Sequence, residues 1–289
     1  MMIQLTITEQ ILLMNKGIIV KNISNLYVVS VNNKKIECTA KGSFRNKAIT
    51  PLVGDNVIIN ENNVIEKILE RKNSLVRPPL SNIDQVIIVM SFKKPDFSAV
   101  LLDKLLVILE HNKIKPIICF TKIDLLENKK EYNKITKYYK SIGYKVLNNN
   151  NLFRIKRLFK NKITVLSGQS GAGKSTLLNK LDKNLELKTD EISLALNRGK
   201  HTTRHVELYN LFNGLVADTP GFSSIDLNDM KKENIKDYFI EFKKYKCKYD
   251  DCSHTNEVEC LIKNNDKILN TRYKNYVKFM SEVKNEFRK

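Results

Sequence analysis

From Lys16 to about Glu70, apolar and polar positions alternate in short runs. Gly17–Lys21, Leu26–Val31, Lys34–Thr39, Asp55–Ile59 and Val64–Leu69 have the period and the residue types of strands. Turn signals separate them: Asn32-Asn33, Gly54-Asp55 and the run from Asn60 to Asn63. Five short strands in so short a stretch predict a small β-barrel, most naturally an OB-fold. Such barrels bind nucleic acid, and they also serve as spacers. Tyr27, Phe44 and Arg45 are candidates to stack on bases and equally candidates for core or rim.

The pattern changes after Arg77-Pro78-Pro79, which reads as a linker. Gln85–Ser91, Lys115–Phe120 and Ile163–Ser167 are continuous apolar runs of strand length, and Val100–Asn112 and Glu131–Ile142 carry helical spacing. The alternation predicts a doubly wound parallel sheet with helices on both faces. Asn148–Asn151 reads as a loop. From Asn228 the chain is Lys-rich and mostly helical, with a Cys/His cluster interrupting it. The last helix is expected to line up Tyr273, Val277, Met280 and Phe287 as a packing face. The expected domains are residues 1–73 (with 1–13 as an extension ahead of Met14), 74–225 and 226–289.

Bulk properties narrow the function classes. The chain has 289 residues, long enough for two or three domains at about 100–200 residues each. Hydrophobic residues at 42% and charged residues at 28% are ordinary for a globular protein. No apolar run reaches the ~20 residues that span a bilayer, and the beginning of the chain lacks the pattern of a secretory signal. The expected compartment is the cytoplasm. The net charge of +19, from 50 Lys+Arg against 31 Asp+Glu, favours a polyanionic partner, RNA before membrane. Drift in base composition is the alternative, since Lys, Asn and Ile are all abundant.

The chemistry concentrates in short motifs. Gly168-Gln169-Ser170-Gly171-Ala172-Gly173-Lys174-Ser175 fits G-x-x-x-x-G-K-[ST], between the strand ITVLS and the helical pattern Ser175–Leu181. Glycines let the backbone curl around phosphates, and the helix N-terminus adds positive partial charge. Lys174 would neutralise the β and γ phosphates, and Ser175 would offer its hydroxyl to Mg2+. Thr121-Lys122-Ile123-Asp124, at the end of PIICF, resembles the [NT]KxD motif that selects guanine. Asp124 can accept from guanine N1–H and the exocyclic amine, which adenine cannot match. Asp218-Thr219-Pro220-Gly221 resembles DxxG: Asp218 for the Mg2+ shell, the Gly221 amide for the γ-phosphate. In Gly199-Lys200-His201-Thr202-Thr203-Arg204, a threonine can complete the Mg2+ shell, and Thr203 is preferred over Thr202.

In ordinary GTPases the base-reading motif comes last; here Thr121–Asp124 precedes Gly168–Ser175. Ligand sites of such sheets lie at strand carboxyl ends wherever the chain is cut, so a circular permutation keeps the site intact. Phe222 follows DTPG, where many GTPases have a Gln that orients water. Slow hydrolysis is expected, with His201 first and His205 second as substitutes; contact with RNA or solvent is the other reading of both histidines.

Of five cysteines, Cys38 and Cys119 stand alone in apolar segments and read as buried, inert thiols. Cys247, Cys252, His254 and Cys260 cluster, and three thiolates with one imidazole suit a closed tetrahedral zinc site of structural type.

Together GQSGAGKST, GKHTT, DTPGF, TKID and C-x4-C-x-H-x5-C resemble the RsgA family of circularly permuted GTPases, which assist late maturation of the small ribosomal subunit. The resemblance runs from Met14 to the C-terminus. It implies an OB-fold, then a circularly permuted α/β P-loop GTPase domain, then an α-helical zinc-binding domain. It also implies GTP/GDP, Mg2+ and one structural Zn2+ as cofactors, with Thr176 in the nucleotide-binding set. The implied partners are the small ribosomal subunit and its rRNA, met by a cytoplasmic monomer that hydrolyses GTP slowly until the subunit stimulates it. Family members often carry a Ser-Ala-type motif that supports the guanine ring; here the stretch reads VLNNNN. The alternative function is a nucleotide-gated RNA-binding module with negligible turnover.

Overall fold

A computed structural model describes residues 15–46, 49–75, 78–181, 206–218, 227 and 230–283. The expected positions His201, Thr203, His205, Gly221 and Phe222 lie outside these residues, as do Arg77 and Phe287.

Two compact units make up the described chain. The first holds the N-terminal barrel, the stretch Leu158–Val165 and residues 206–218. The barrel strands are β1 (Asn15–Ile23), β2 (Leu26–Val31), β3 (Lys34–Ala40), β4 (Asn56–Ile59) and β5 (Val64–Ile68), closed in the order β1-β2-β3-β5-β4. β3 and β5 run parallel and the other barrel pairs antiparallel, the OB arrangement expected from the strand pattern. Ile19, Val29, Val57, Ile59 and Ile65 fill the interior. Tyr27 joins them at 6% exposure, which removes it as a base-stacking candidate. Phe44 is half-buried on the helical turn Ser43–Asn46. Asp55 is fully buried beneath β4, where a lone carboxylate would be costly. Arg71 meets it with two hydrogen bonds of 2.7 Å, which closes the barrel onto the following chain. That chain forms a small pair, β6 (Ser74–Leu75) and β7 (Leu80–Ser81). Glu207 bonds Lys21 of β1 at 2.7 Å.

Among the described residues the main sheet has six strands: β8 (Gln85–Ser91), β9 (Lys115–Thr121), β10 (Lys145–Asn148), β11 (Ile163–Gly168), β12 (Leu208–Leu211) and β13 (Gly214–Asp218). Their order is β10-β9-β8-β11-β13-β12. β8, β9 and β10 are parallel, and every residue of β8 is buried. The expectation of an all-parallel sheet is corrected at one edge, where β12 pairs antiparallel with β13. A two-residue turn, Phe212 and Asn213 at φ 53° and 57°, makes that hairpin. Asn213-Gly214 was the available signal. The helices are α1 (Ala99–His111), α2 (Lys130–Ser141), α3 (Leu152–Phe159) and α4 (Lys174–Leu181). Ser98 caps α1 by accepting from the Leu101 amide at 3.2 Å.

The second unit contains β8 to β10, α1, α2, the loop before α4 and the C-terminal segment. The C-terminal segment is less regular than its mostly helical reading. Among its described residues it comprises 3-10 turns at Lys232–Tyr238 and Phe242–Lys244 and one α-helix, α5 (Asn270–Glu282). Phe239, Phe242, Ile262, Ile268, Tyr276 and Phe279 pack with Val107 and Ile108 of α1 in one core. The expected packing face of α5 holds at Met280, which is buried, and at Tyr273, which packs against the same core, and is corrected at Val277, which is 38% exposed; the buried face is Arg272, Asn275, Tyr276, Phe279 and Met280.

The cause is Arg272, wholly buried. Its guanidinium donates to Asp103 of α1 at 2.7 Å and to both oxygens of Glu241 at 2.7 and 3.2 Å, and lies 4.4 Å from the centre of the Phe239 ring. Tyr139 and Asn275 also bond Asp103, at 2.5 and 2.6 Å, and Tyr138 bonds Glu241 at 3.1 Å. Burial pushes the Asp103 carboxyl up, and Arg272 with these hydrogen bonds opposes the shift. An Arg on the inner face rotates the helix away from any purely apolar stripe. Arg272→Met strands two buried carboxylates, and unfolding in urea is expected to show a loss of about 3–5 kcal/mol. A loss near zero overturns the assignment of the cluster as what fixes α5.

Candidate functional site

The phosphate-type loop begins where β11 ends. Gly168 has φ +124°, and a Cβ there would stand 2.0 Å from the Val89 carbonyl oxygen of β8. Only glycine permits that approach. The Gln169 amide then donates to Val89 O at 3.2 Å, and its side chain donates to Asp96 O at 2.7 Å. Gly171 and Gly173 also have positive φ, Ala172 is buried, and Ser170 and Gly171 are exposed. Lys174 opens α4 with its ammonium folded over the loop, 3.1 Å from Gln169 O. Ser175 and Thr176 are exposed on the first turn, while Leu177, Leu178 and Leu181 anchor the helix.

The TKID segment lies against this loop. Thr121 ends β9, buried, and its hydroxyl donates to Ala172 O at 2.6 Å. Lys122 is left-handed at φ 55° and donates to Gly171 O at 2.9 Å and to Lys94 O. Thr121 and Lys122 thus hold the two loops together, a task the motif alone does not reveal. Ile123 is buried as a peg, and Asp124 is exposed on the 3-10 turn Ile123–Leu125.

The asparagine run is built rather than loose. Asn148 ends β10, the Asn149 amide donates to Phe120 O at 2.9 Å, and Asn148 bonds the amide of Asn150 and the Tyr132 hydroxyl. It therefore sits beside the end of β9, next to TKID. The residue pattern alone reads only a loop here, and the family resemblance alone set the stretch in the place of a base-supporting motif; β10, α3 and the Phe92–Ser98 loop whose backbone receives Lys122 and Gln169 were missed. Parallel pairing of β9 with β10 is what carries the asparagines there, and no local pattern encodes it. Asp218 ends β13; beyond that strand end, nothing of DTPG is among the described residues.

A second site lies in the C-terminal segment. The donor atoms of Cys247, Cys252, His254 and Cys260 all fall within 4.8 Å of one another. His254 Nδ1 is 3.5 Å from the sulfurs of Cys247 and Cys260. A tetrahedral zinc ion with ordinary bond lengths places S and N about 3.6 Å apart, so this donor set fits zinc. Burial first, then the neighbouring thiols, pushes Cys252 up to about 12, and burial first lowers His254. The loop has its own scaffold. Glu257 accepts from the amides of Ser253, Thr255 and Asn256, Tyr273 donates to His254 O at 2.9 Å, and Tyr276 donates to Ser253 O. Cys38 and Cys119 are buried and free, and burial pushes Cys119 up to about 12, in keeping with inert thiols.

A family model described as RsgA GTPase matches residues 68–228, and one described as RsgA N-terminal domain matches residues 16–66. This chain belongs to the RsgA GTPase family. The small ribosomal subunit biogenesis GTPase RsgA of Bacillus pumilus is 44% identical to it, over 94% of this chain and 98% of that protein. RsgA 2 of Oceanobacillus iheyensis is 46% identical, over 93% and 98%. Among solved structures, YloQ, described as a circularly permuted GTPase, matches with TM-score 0.77 and 39% identity, covering 93% of this chain and 95% of that one. YjeQ from Thermotoga maritima matches with TM-score 0.80 and 33% identity, covering 96% and 100%. The permuted order read from the motifs is the order of this family, and RsgA GTPases work on GTP with Mg2+.

Thr121→Val tests the bond between the two loops of this RsgA GTPase. It leaves Ala172 O without its buried donor, a cost of about 1–2 kcal/mol. Calorimetric titration is expected to show GDP affinity down roughly tenfold with secondary structure intact. Unchanged affinity shows that Thr121 does not hold the loop.

Proposed function

We propose that this chain is a GTP-hydrolysing assembly factor for late maturation of the small ribosomal subunit, slow alone and stimulated by the subunit. The observation that carries the reading is the meeting of TKID with the phosphate loop, in reversed chain order, through Thr121 and Lys122. The names of close relatives support the biological task.

In this reading Gly168–Gly173 wraps the phosphates with backbone amides, and Lys174 leaves its carbonyl partners for the β and γ oxygens. Ser175, with Thr203 and Asp218, holds Mg2+, which supplies charge neutralisation to the phosphates. Thr176 completes the loop's set, and the Gly221 amide meets the γ-phosphate. Asp124, exposed beside the loop, accepts from the guanine edge, and Ile123 anchors it. Asn149, whose side-chain oxygen is buried without a partner, fills the place of the family's base-supporting motif. His201 orients the attacking water that Phe222 cannot. The cysteine cluster takes one zinc ion with no open position, so the ion braces the fold. Residues 1–73, 74–225 and 226–289 act as barrel, GTPase and zinc domains of a monomer. No helix among the described residues is long and apolar enough to cross a membrane, and the reading assigns the chain to the cytoplasm.

Phosphate release is the direct test. Hydrolysis is expected to rise at least tenfold when purified small subunits are added, with no rise from large subunits. His201→Ala should suppress the stimulation while subunit binding persists. No stimulation favours the alternative, a nucleotide-gated RNA-binding module, for which Phe222 is the argument. For the metal, Cys252→Ser is expected to lower zinc content by elemental analysis and to make the segment after residue 230 sensitive to protease. Full zinc in that variant removes Cys252 from the ligand set.

A further inference from the structure

Helix α3 presents two chemically opposed faces. Ile155, Leu158 and Phe159 are buried and hold it down. On the outer face Phe153 is 74% exposed, and Arg154, Lys156 and Arg157 are exposed around it. The Arg157 guanidinium lies 5.7 Å from the Phe153 ring centre. From Lys145 to Leu181 the chain contains no Asp or Glu. Among the described residues neither Arg154 nor Arg157 pairs with a carboxylate. An exposed phenylalanine flanked by cations is not accounted for by packing among the described residues.

We propose that this face binds single-stranded RNA, with one base stacked on Phe153 and Arg154 and Arg157 on the flanking phosphates. The charge selects a polyanion, and +19 over the chain makes the field attractive at a distance. The aromatic ring selects the form of it. Stacked duplex bases expose no π-face, and an A-form helix is read by shape and backbone, whereas an unpaired base offers its face to Phe and to a guanidinium plane. Arg157, already over the ring edge, can bridge ring and phosphate. The proposal deepens the reading above, resting on it only for the source of the RNA.

The test uses the full chain and a fluorescent single-stranded 12-nucleotide RNA of mixed sequence, followed by anisotropy over a salt series. Phe153→Ala is expected to weaken binding about tenfold at every salt concentration with the slope unchanged, the lower range of a base–aromatic stack. Phe153→Tyr should restore it. Arg154→Ala with Arg157→Ala should flatten the slope of log K against log salt by about 1.4, two phosphate contacts at about 0.7 each on a single strand. Basal GTP hydrolysis should be unchanged in all three, since none of these residues is in the nucleotide site. Equal binding by wild type and Phe153→Ala overturns the proposal. So does loss of co-sedimentation with small subunits without loss of RNA affinity, which marks a protein-docking face. Failure of subunits to stimulate wild-type hydrolysis overturns the assembly reading instead and leaves this measurement standing.

Discussion

The carbonyl of Val89 and the α-carbon of Gly168 cannot be separated by a side chain, and the candidate nucleotide site is arranged around that contact. It brings the end of β11 against β8 and lets the loop turn inward. From there Thr121 reaches Ala172 and Lys122 reaches Gly171, so the TKID segment and the glycine-rich loop share hydrogen bonds. These two bonds do what chain continuity does elsewhere. A permuted order costs nothing when both loops emerge at the same edge of one sheet.

The second constraint is the buried guanidinium of Arg272. Its carboxylate partners come from α1 and from the segment after the 3-10 turn at Lys232–Tyr238. A buried charge with two fixed partners allows little drift, because separation exposes unpaired ions to a medium of low polarity. The C-terminal segment is therefore continuous with the core of α1 rather than hung from the chain. The Cys/His loop is tied to the same helix through Tyr273 and Tyr276, so loop geometry and helix placement depend on each other.

Positive charge acts at two ranges. Across the chain the +19 excess attracts polyanions without choosing among them. On α3 the cations sit with an exposed ring, and geometry supplies what charge alone lacks. Tyr27, an equally plausible aromatic by its strand position, is consumed by the barrel core.

By itself the sequence determined most of the element types, the barrel, the permuted motif order and the Cys/His set that clusters in the C-terminal segment. Period-two and period-3.6 patterns are local, phosphate loops and base-reading loops need particular residues at fixed spacing, and metal ligands must be particular residue types. Tertiary structure alone decided the rest. It placed the asparagine run beside β9, because strand pairing links residues distant in the chain. It gave Thr121 and Lys122 a task the motif does not state, as ties between the two loops. It set α5 on Arg272 instead of Val277, because a buried ion cluster outweighs an apolar stripe and its partners lie at Asp103 and Glu241. Which aromatic is core and which is exposed is likewise a matter of what packs above it, and no single strand or helix carries that information.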